Sequence, residues 1–554
     1  MITYRELRLL ELDVLRALHT DKQVAIDISS VALLDVDMMH GIEIEEFPAR
    51  IAEVAMWLID HQMNMLMSME FGQYYARLPL KKSAHIVNGN ALRLDWNEVV
   101  NKNELSYILG NPPFIGKHLQ NQEQKHDMAL LFDKIKGYGV LDYVCAWYVK
   151  ASDFVYGTII KVAFVSTNSI SQGEQVGTLW DLLFNRFNVK IHFAHRSFVW
   201  KNEAKGNAAV HVIVVGFACY DVSDKFLIDY KQMQTETVSS RVRNINPYLT
   251  EGKDFALLPR ENSICDVPKV TWGNKPVDGG NLILSNNELS ELLSKEPQAK
   301  KHIKPLICAK EFLKGEKRWC LWLVNAEPKE LKEMPLVLER IRNVKKMREG
   351  SVDKGARLLA QKPTLFRDTK NPESYILIPS TTSENRSYIP FAFFDSESIP
   401  HNSCHILPNG KLFHFGVLTS TMHMAWVRTV CGRLKSDFRY SKDIVYNNYP
   451  WPENPSDKQK EAIEQAAQKV LDTRKEFPNS SLADLYDPLT MPPSLVKAHQ
   501  ELDKVVDLAY RPQPFPSEAK RMEFLFELYE KYTANLFTKE KVKAPKKRTG
   551  KAKE

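Results

Sequence analysis

Residues 109–116 read LGNPPFIG and directly follow ELSYI, a short apolar run. Pro112 and Pro113 lack a backbone N–H and fix φ, so neither a helix nor a central strand continues through them. The chain is therefore predicted to end a buried strand near Gly110 and to hold Asn111 at its carboxyl end, ahead of a stiff turn. Taken alone, the tetrapeptide is equally what an ordinary rigid turn looks like.

Its surroundings are more informative. Up to about residue 220, strand-like and helix-like stretches alternate. TYRELRLLELDVLRAL spaces Leu7, Leu10, Leu12, Val14, Leu15 and Leu18 over one broad helical face. MHGIEIEEF reads as a strand ending in acids, and Pro48 then opens the helix ARIAEVAMWLIDHQMNMLMSM at a first-turn position. HIVNGNAL, SYILGN and IKVAFVSTNS supply further strands. This alternation predicts an α/β fold with a parallel, doubly wound sheet. VKIHFAHRSFVW and AAVHVIVVGFACY, joined by the polar KNEAKGN, are expected to form an antiparallel hairpin closing the sheet edge.

The predicted domains are a catalytic region over 1–225, a proline-rich mixed α/β region over 226–455, a helical region over 456–538 and a basic tail over 539–554. In the third, Ser456 and Gln459 form a capping box ahead of an apolar stripe of Ile463, Ala466, Ala467, Val470 and Leu471. A chain of 554 residues is too long for one core. The net charge of +7 is misleading, because the tail KEKVKAPKKRTGKAKE holds eight Lys or Arg against two Glu and supplies +6 of it. Only local basic patches therefore count towards nucleic-acid binding. Seven scattered cysteines without a CxxC pair suggest a reducing cytoplasm, and no apolar stretch approaches a membrane span.

A doubly wound sheet binds ligands beyond the carboxyl ends of its strands, where Asn111 is expected. The Asn111 side-chain oxygen and the Pro112 carbonyl can both accept hydrogen bonds from one exocyclic amino group. Two such acceptors draw the nitrogen lone pair out of conjugation, and the prolines hold them without reorganisation. Phe114 offers a flat face to the base. The arrangement suits methyl transfer from a sulfonium donor, with no metal.

On these residues the sequence resembles the γ-class N6-adenine DNA methyltransferases, whose Asn-Pro-Pro-aromatic motif is matched by Asn111, Pro112, Pro113 and Phe114. GIEIEEFPARIAEVAMWLIDHQMN, AHRSFVWKNEAKGNAAVHVIVVGF and CGRLKSDFRYSKDIVYNNYPWPE resemble the type IIL (MmeI-like) restriction-modification subgroup over almost the whole chain. The resemblance implies a Rossmann-like sheet, S-adenosyl-L-methionine as methyl donor and double-stranded DNA as partner. It implies that Glu43 binds the donor ribose and that Asn90, where an Asp is commoner, meets its adenine. A flipped target base would be clamped by Trp200, which fits that position better than Phe198; either can also be core.

For DNA, Arg433, Lys435, Arg439 and Lys442 are candidate phosphate contacts. Glu384 and Arg386, two apart in TSENRSYIP, would share one face if extended and so read one base pair, as a similar Glu-x-Arg does in the family. Solvated charges and a surface ion pair are the plain alternatives. The Met-rich helix reads as adaptable core, and HNSCH (His401, Cys404, His405) lacks a second ligand pair for zinc.

The family also carries a Gly-rich donor loop after its first strand, and the first glycine here is Gly41. The first strand and its loop are therefore expected to be missing from mid-sheet, between the strands ending at Glu43 and Asn111, and to come from a separate polypeptide. No nuclease is expected. The alternative is a DNA-binding remnant without catalysis; amino methylation of RNA or of a protein glutamine is a third possibility, disfavoured by the basic-aromatic second region.

Overall fold

The computed structural model describes residues 1–18, 28–75, 83–200, 210–230 and 236–540. The KNEAKGN connection and residues 541–554 of the tail lie outside them. The chain divides into two compact units, one of Met1–Ser166, Leu182–Ala194 and Val214–Ser223, the other of Thr167–Asp181, His195–Ile213 and the described part of Asp224–Glu554.

In the first unit the opening helix spans Ile2–Leu18, but its buried side is narrower than its leucines suggest. Tyr4, Arg8, Leu12 and Leu15 are buried, whereas Leu10, Val14 and Leu18 are exposed. The reason is polar: Tyr4 donates to Asp60 (2.6 Å) and Arg8 to Asn64 (2.8 Å), both on the helix Glu46–Phe71. These bonds turn the helix so that a Tyr–Arg edge, not the full leucine face, meets its neighbour. On the same helix Met56 packs with Tyr4 and Val36, Met67 with Leu12 and Leu15, and Met63 is buried, while Met69 is exposed.

Strand β1 (His40–Glu43) runs parallel to β2 (His85–Asn88), with His40 opposite His85 and Glu43 opposite Asn88. Gly41 allows the approach, since a Cβ there would stand 2.9 Å from Ile86 Cδ1. β3 (Tyr107–Gly110) runs parallel to β4 (Lys161–Thr167). β3 is one edge of a six-stranded sheet ordered β3-β4-β6-β5-β7-β8, where β5 is Lys190–Trp200, β6 Val210–Ala218, β7 Lys225–Tyr230 and β8 Thr237–Val242. The β5–β6 hairpin is thus interior, contrary to expectation: β7 takes up the free edge of β5, and β8 pairs antiparallel with β7. Unpaired strand edges recruit further strands for just this reason. Among the described residues β1 and β3 are not bonded to each other, so β1-β2 and β3-β4 belong to two separate sheets.

The second unit builds its own cores. One gathers Leu282, Leu306, Leu321, Val337, Ile341 and Ile399; another sets Tyr375, Leu377 and Ile406 from the antiparallel strands Ser374–Pro379 and Cys404–Pro408 against Phe312. Farther on, Ser456 accepts from the Gln459 N–H and the Gln459 side chain from the Ser456 N–H, opening the helix Asp457–Lys475, which buries Ile463, Ala467 and Val470. A last helix covers Glu518–Glu540.

Candidate functional site

A cavity of about 590 Å³ in the first unit is lined along the full length of both β1 and β3. That volume lies within the range of about 300–1,000 Å³ usual for small-molecule sites. Glu43, Asn90, Asn111, Pro112 and Pro113 all line it. Residues separated by up to 70 positions thus converge because β1, β2 and β3 each end at the same mouth. Phe114, half-buried, follows outside the wall.

Each of these residues is held locally. Glu43 Oε1 accepts from the Glu45 N–H at 3.2 Å, and the Glu43 carbonyl accepts from the Gly89 N–H at 2.8 Å. Gly110 precedes Asn111 because a Cβ there would stand 3.0 Å from the Phe164 ring. Beyond the prolines, the Tyr143 N–H donates to the Ile115 carbonyl (2.9 Å) and Gln120 Nε2 to the Leu141 carbonyl (3.0 Å), pinning the loop that carries Asn111. Asn111 is exposed and Pro112 buried.

Asn90 is more constrained than its position after a strand suggests. Its Oδ1 accepts from the Leu92 N–H (2.9 Å) and its Nδ2 donates to Asp127 Oδ2 (3.1 Å). Asp127, on the helix Gln122–Leu131 and only 2% exposed, also accepts from Arg93 Nε (2.6 Å) and the Tyr143 hydroxyl (2.7 Å). Burial pushes the Asp127 carboxyl upward; the hydrogen bonds from Tyr143, Arg93 and Asn90 outweigh it and hold the group below its usual range. Burial and the same bond raise the Tyr143 hydroxyl. Asp127 and Tyr143 line the cavity too, and neither was legible beforehand: an acid inside QEQKHDM has no local mark distinguishing it from a solvated one.

The remaining candidates lie in the second unit. Trp200, 42% exposed, ends β5; Phe198 beside it packs on Tyr230 with ring centroids 4.5 Å apart. The Glu384–Arg386 segment is a turn rather than extended, with the Arg386 N–H on the Ser383 carbonyl (3.3 Å), so the two side chains do not share a strand face. Glu384 instead pairs with Arg433 (3.1 Å), and Arg386 donates to Thr382 Oγ1 (2.9 Å). Arg433 belongs to a hairpin of Gly432–Leu434 and Asp437–Arg439, whose second strand also pairs with Thr381–Thr382. This three-stranded sheet brings the two candidate sets together. Arg433 lies 4.0 Å over the Phe438 ring and donates to the Ser436 carbonyl, which leaves it a structural cation more than an open one. Lys442 pairs with Asp443. Lys435, at the hairpin tip with φ 58°, and Arg439 are exposed. In HNSCH, His401 contacts Ser403, and His405 is buried against the Tyr440 carbonyl.

Along the chain, an α/β unit with a strand-end cavity is followed by a separately cored unit with a basic hairpin. The sequence matches the DNA-methyltransferase domain of MmeI over residues 1–229, the MmeI target recognition domain over 251–453 and the MmeI C-terminal domain over 455–537. The chain belongs to the MmeI family. It is 40% identical to DNA methyltransferase A of Bacillus subtilis (strain 168) over 96% of its own length and 60% of that protein's. It is 47% identical to the solved type IIL restriction-modification enzyme MmeI, determined in complex with DNA, with a TM-score of 0.87 over 96% of this chain and 71% of that one. The chain thus spans about three-fifths of the curated relative. These matches lend no support to an absent N-terminal strand and Gly-rich loop, nor to a separate polypeptide supplying them. Among the described residues no helix is long and apolar enough to cross a membrane.

Proposed function

We propose that this chain is a site-specific DNA methyltransferase of a restriction-modification system, moving a methyl group from S-adenosyl-L-methionine to adenine N6. One observation carries the reading: a carboxylate (Glu43), an amide (Asn90) and the Asn111-Pro112 acceptor pair converge on one cavity at the ends of three strands. The donor set suits a nucleoside: Glu43 can accept from a ribose diol, and Asn90 can meet a purine edge. When bound, the sulfonium donor supplies an electrophilic methyl group.

The chain's own residues do the rest. Asn111 Oδ1 and the Pro112 carbonyl accept the two hydrogens of the target amine and free its lone pair for attack, while Pro113 keeps both acceptors in register. Phe114 is proposed to stack on an adenine turned out of the duplex, and Trp200 is proposed as a base-stacking side chain of the second unit. Lys435 and Arg439, with Arg433 and Lys442 less open, are proposed phosphate contacts, and Glu384 with Arg386 the base readers. All seven cysteines are free thiols, which supports a reducing compartment, the cytoplasm.

The gap between β1 and β3 supports a further element of the same reading. We propose that a parallel strand carrying a Gly-rich loop, from a segment or polypeptide beyond these residues, inserts there and holds the donor's methionine end. The same gap favours the second reading, a chain that recognises DNA without transferring methyl groups. Asn111→Ala decides between them. Tritiated methyl transfer to DNA should fall by about a hundredfold to a thousandfold, the scale expected for losing one transition-state hydrogen bond, while DNA binding stays within a few-fold. Substantial residual transfer refutes the site, and no transfer by the wild-type chain, with or without an added strand-bearing segment, selects the second reading.

A further inference from the structure

The buried carboxylate of Asp127 holds three side chains of the cavity region through hydrogen bonds. Asn90 is the sole contributor from the turn after β2 proposed to meet the donor's adenine, and an amide can present either its oxygen or its nitrogen. Here the choice is made by two neighbours. The Leu92 N–H requires an oxygen at 2.9 Å, and the Asp127 carboxylate, which can only accept, requires the nitrogen at 3.1 Å. Asn90 keeps one N–H and one oxygen lone pair for the cavity, the donor–acceptor pattern that an asparagine uses on an adenine edge.

We propose that Asp127 is a positioning residue for the methyl donor, fixing the orientation of Asn90 through a buried carboxylate that also ties Arg93 and Tyr143 to the cavity wall. The proposal rests on the methyltransferase reading above. Three features of the site carry it. Asp127 sits on a different helix from the strand-end turn it orients, so it joins the wall after β2 to the segment that follows the Asn111 loop. Its two oxygens are both engaged, Oδ1 by Arg93 and Oδ2 by Asn90 and Tyr143, so the carboxylate ties three side chains together. Tyr143 joins the unit to the catalytic loop, since its N–H holds the Ile115 carbonyl while its hydroxyl holds Asp127. A neutral amide at 127 keeps a single acceptor oxygen, so it cannot hold Arg93 on one side and Asn90 with Tyr143 on the other, and the restraint on Asn90 is weakened.

The test is a double-mutant cycle on the full chain, supplemented with the strand-bearing segment if wild type needs it. S-adenosylmethionine affinity is read by calorimetry and turnover on DNA at saturating donor. Asp127→Asn should weaken donor binding about tenfold, the scale of one lost charge-assisted hydrogen bond, and leave kcat within about threefold. Because Asp127 acts through Asn90, Asn90→Ala/Asp127→Asn should bind the donor no more weakly than Asn90→Ala alone. Tyr143→Phe removes one bond to the carboxylate and serves if Asp127→Asn fails to fold; it should weaken donor binding by a smaller factor and show the same lack of additivity. Unchanged donor affinity in Asp127→Asn, or effects that simply add in the Asn90→Ala background, overturn the proposal. Wild type that binds no donor in either form overturns it as well, but through failure of the underlying reading, which the variants cannot mimic.

Discussion

The two units manage exposed backbone and apolar surface in opposite ways. In the second, the strand Ser374–Pro379 is paired on both sides, by Ala392–Asp395 and Cys404–Pro408, with Tyr375, Ile376, Leu377 and Ile378 fully buried. Its surface carries exposed apolar residues too, such as Val352 and Leu489, which is normal for any surface. In the first unit, β1 and β3 each pair on one side only among the described residues, and Tyr107 (59%) and Leu109 (57%) of β3 are exposed on a strand of the type usually covered on both faces. Phe47, Ile51, Val54 and Leu58 recur every three or four residues along the helix Glu46–Phe71, and all are exposed, Phe47 to 76%. A continuous apolar stripe next to open strand edges marks a surface made to be covered. Among the described residues the strand Ser374–Pro379 is enclosed on both sides, whereas the edges of β1 and β3 are left open to a covering element.

The largest effect should come from supplying that covering. A polypeptide carrying a strand and Gly-rich loop is expected to raise S-adenosylmethionine affinity from weak or undetectable to micromolar, as strand addition completes an open edge. Amide hydrogen exchange in β1 and β3 should slow at the same time. Micromolar binding by the chain alone, or β1 and β3 amides already fully protected, would break the contrast between the units.

Next in size is sequence preference. Exchanging Glu384 and Arg386 for Lys and Asp should change one position of the methylated site, read by sequencing methylated DNA. An unchanged site in an active enzyme would leave Glu384 as no more than the partner of Arg433.

The hairpin cations sharpen the comparison further, because the second unit should bind DNA only with charges it has not already used. Replacing both Lys435 and Arg439 with Ala should reduce the slope of log K against log salt by about 2. Arg433→Ala should leave that slope almost unchanged while costing about 1 kcal/mol of stability through its ion pair and its stacking on Phe438. A large slope change from Arg433 would mean that its pairing opens on DNA.

The smallest effect concerns acid. Glu288 accepts from the Ser285 N–H and from Arg340, which pull its carboxyl down to about 2. A depressed carboxylate stabilises the fold above its unfolded value and loses that contribution as pH falls through the folded one. Glu288→Gln should therefore flatten the stability loss of the second unit between about pH 4.5 and about 2, read by thermal unfolding. An unchanged acid limb would show that the exposed side of this pair is screened by water.

Local chemistry was enough to determine much of this protein. Prolines at 112 and 113 end β3 wherever it lies, Ser456 and Gln459 cap their helix through bonds three residues apart, and strand ends at Glu43 and Gly110 follow from runs a few residues long. The long resemblance to MmeI-like proteins was likewise readable from contiguous stretches. What only the tertiary structure decided are matters of partner choice between distant segments. Arg8 rather than Leu10 is buried because Asn64 waits on another helix; Glu384 meets Arg433 rather than Arg386 because a turn and a hairpin share one small sheet. Asp127 becomes the hub of the cavity wall only because a turn, a helix and Tyr143 bring three donors to it. A side chain's reach is a few ångströms, so local pattern specifies which residues can pair, and the folded path of the chain selects which of them do.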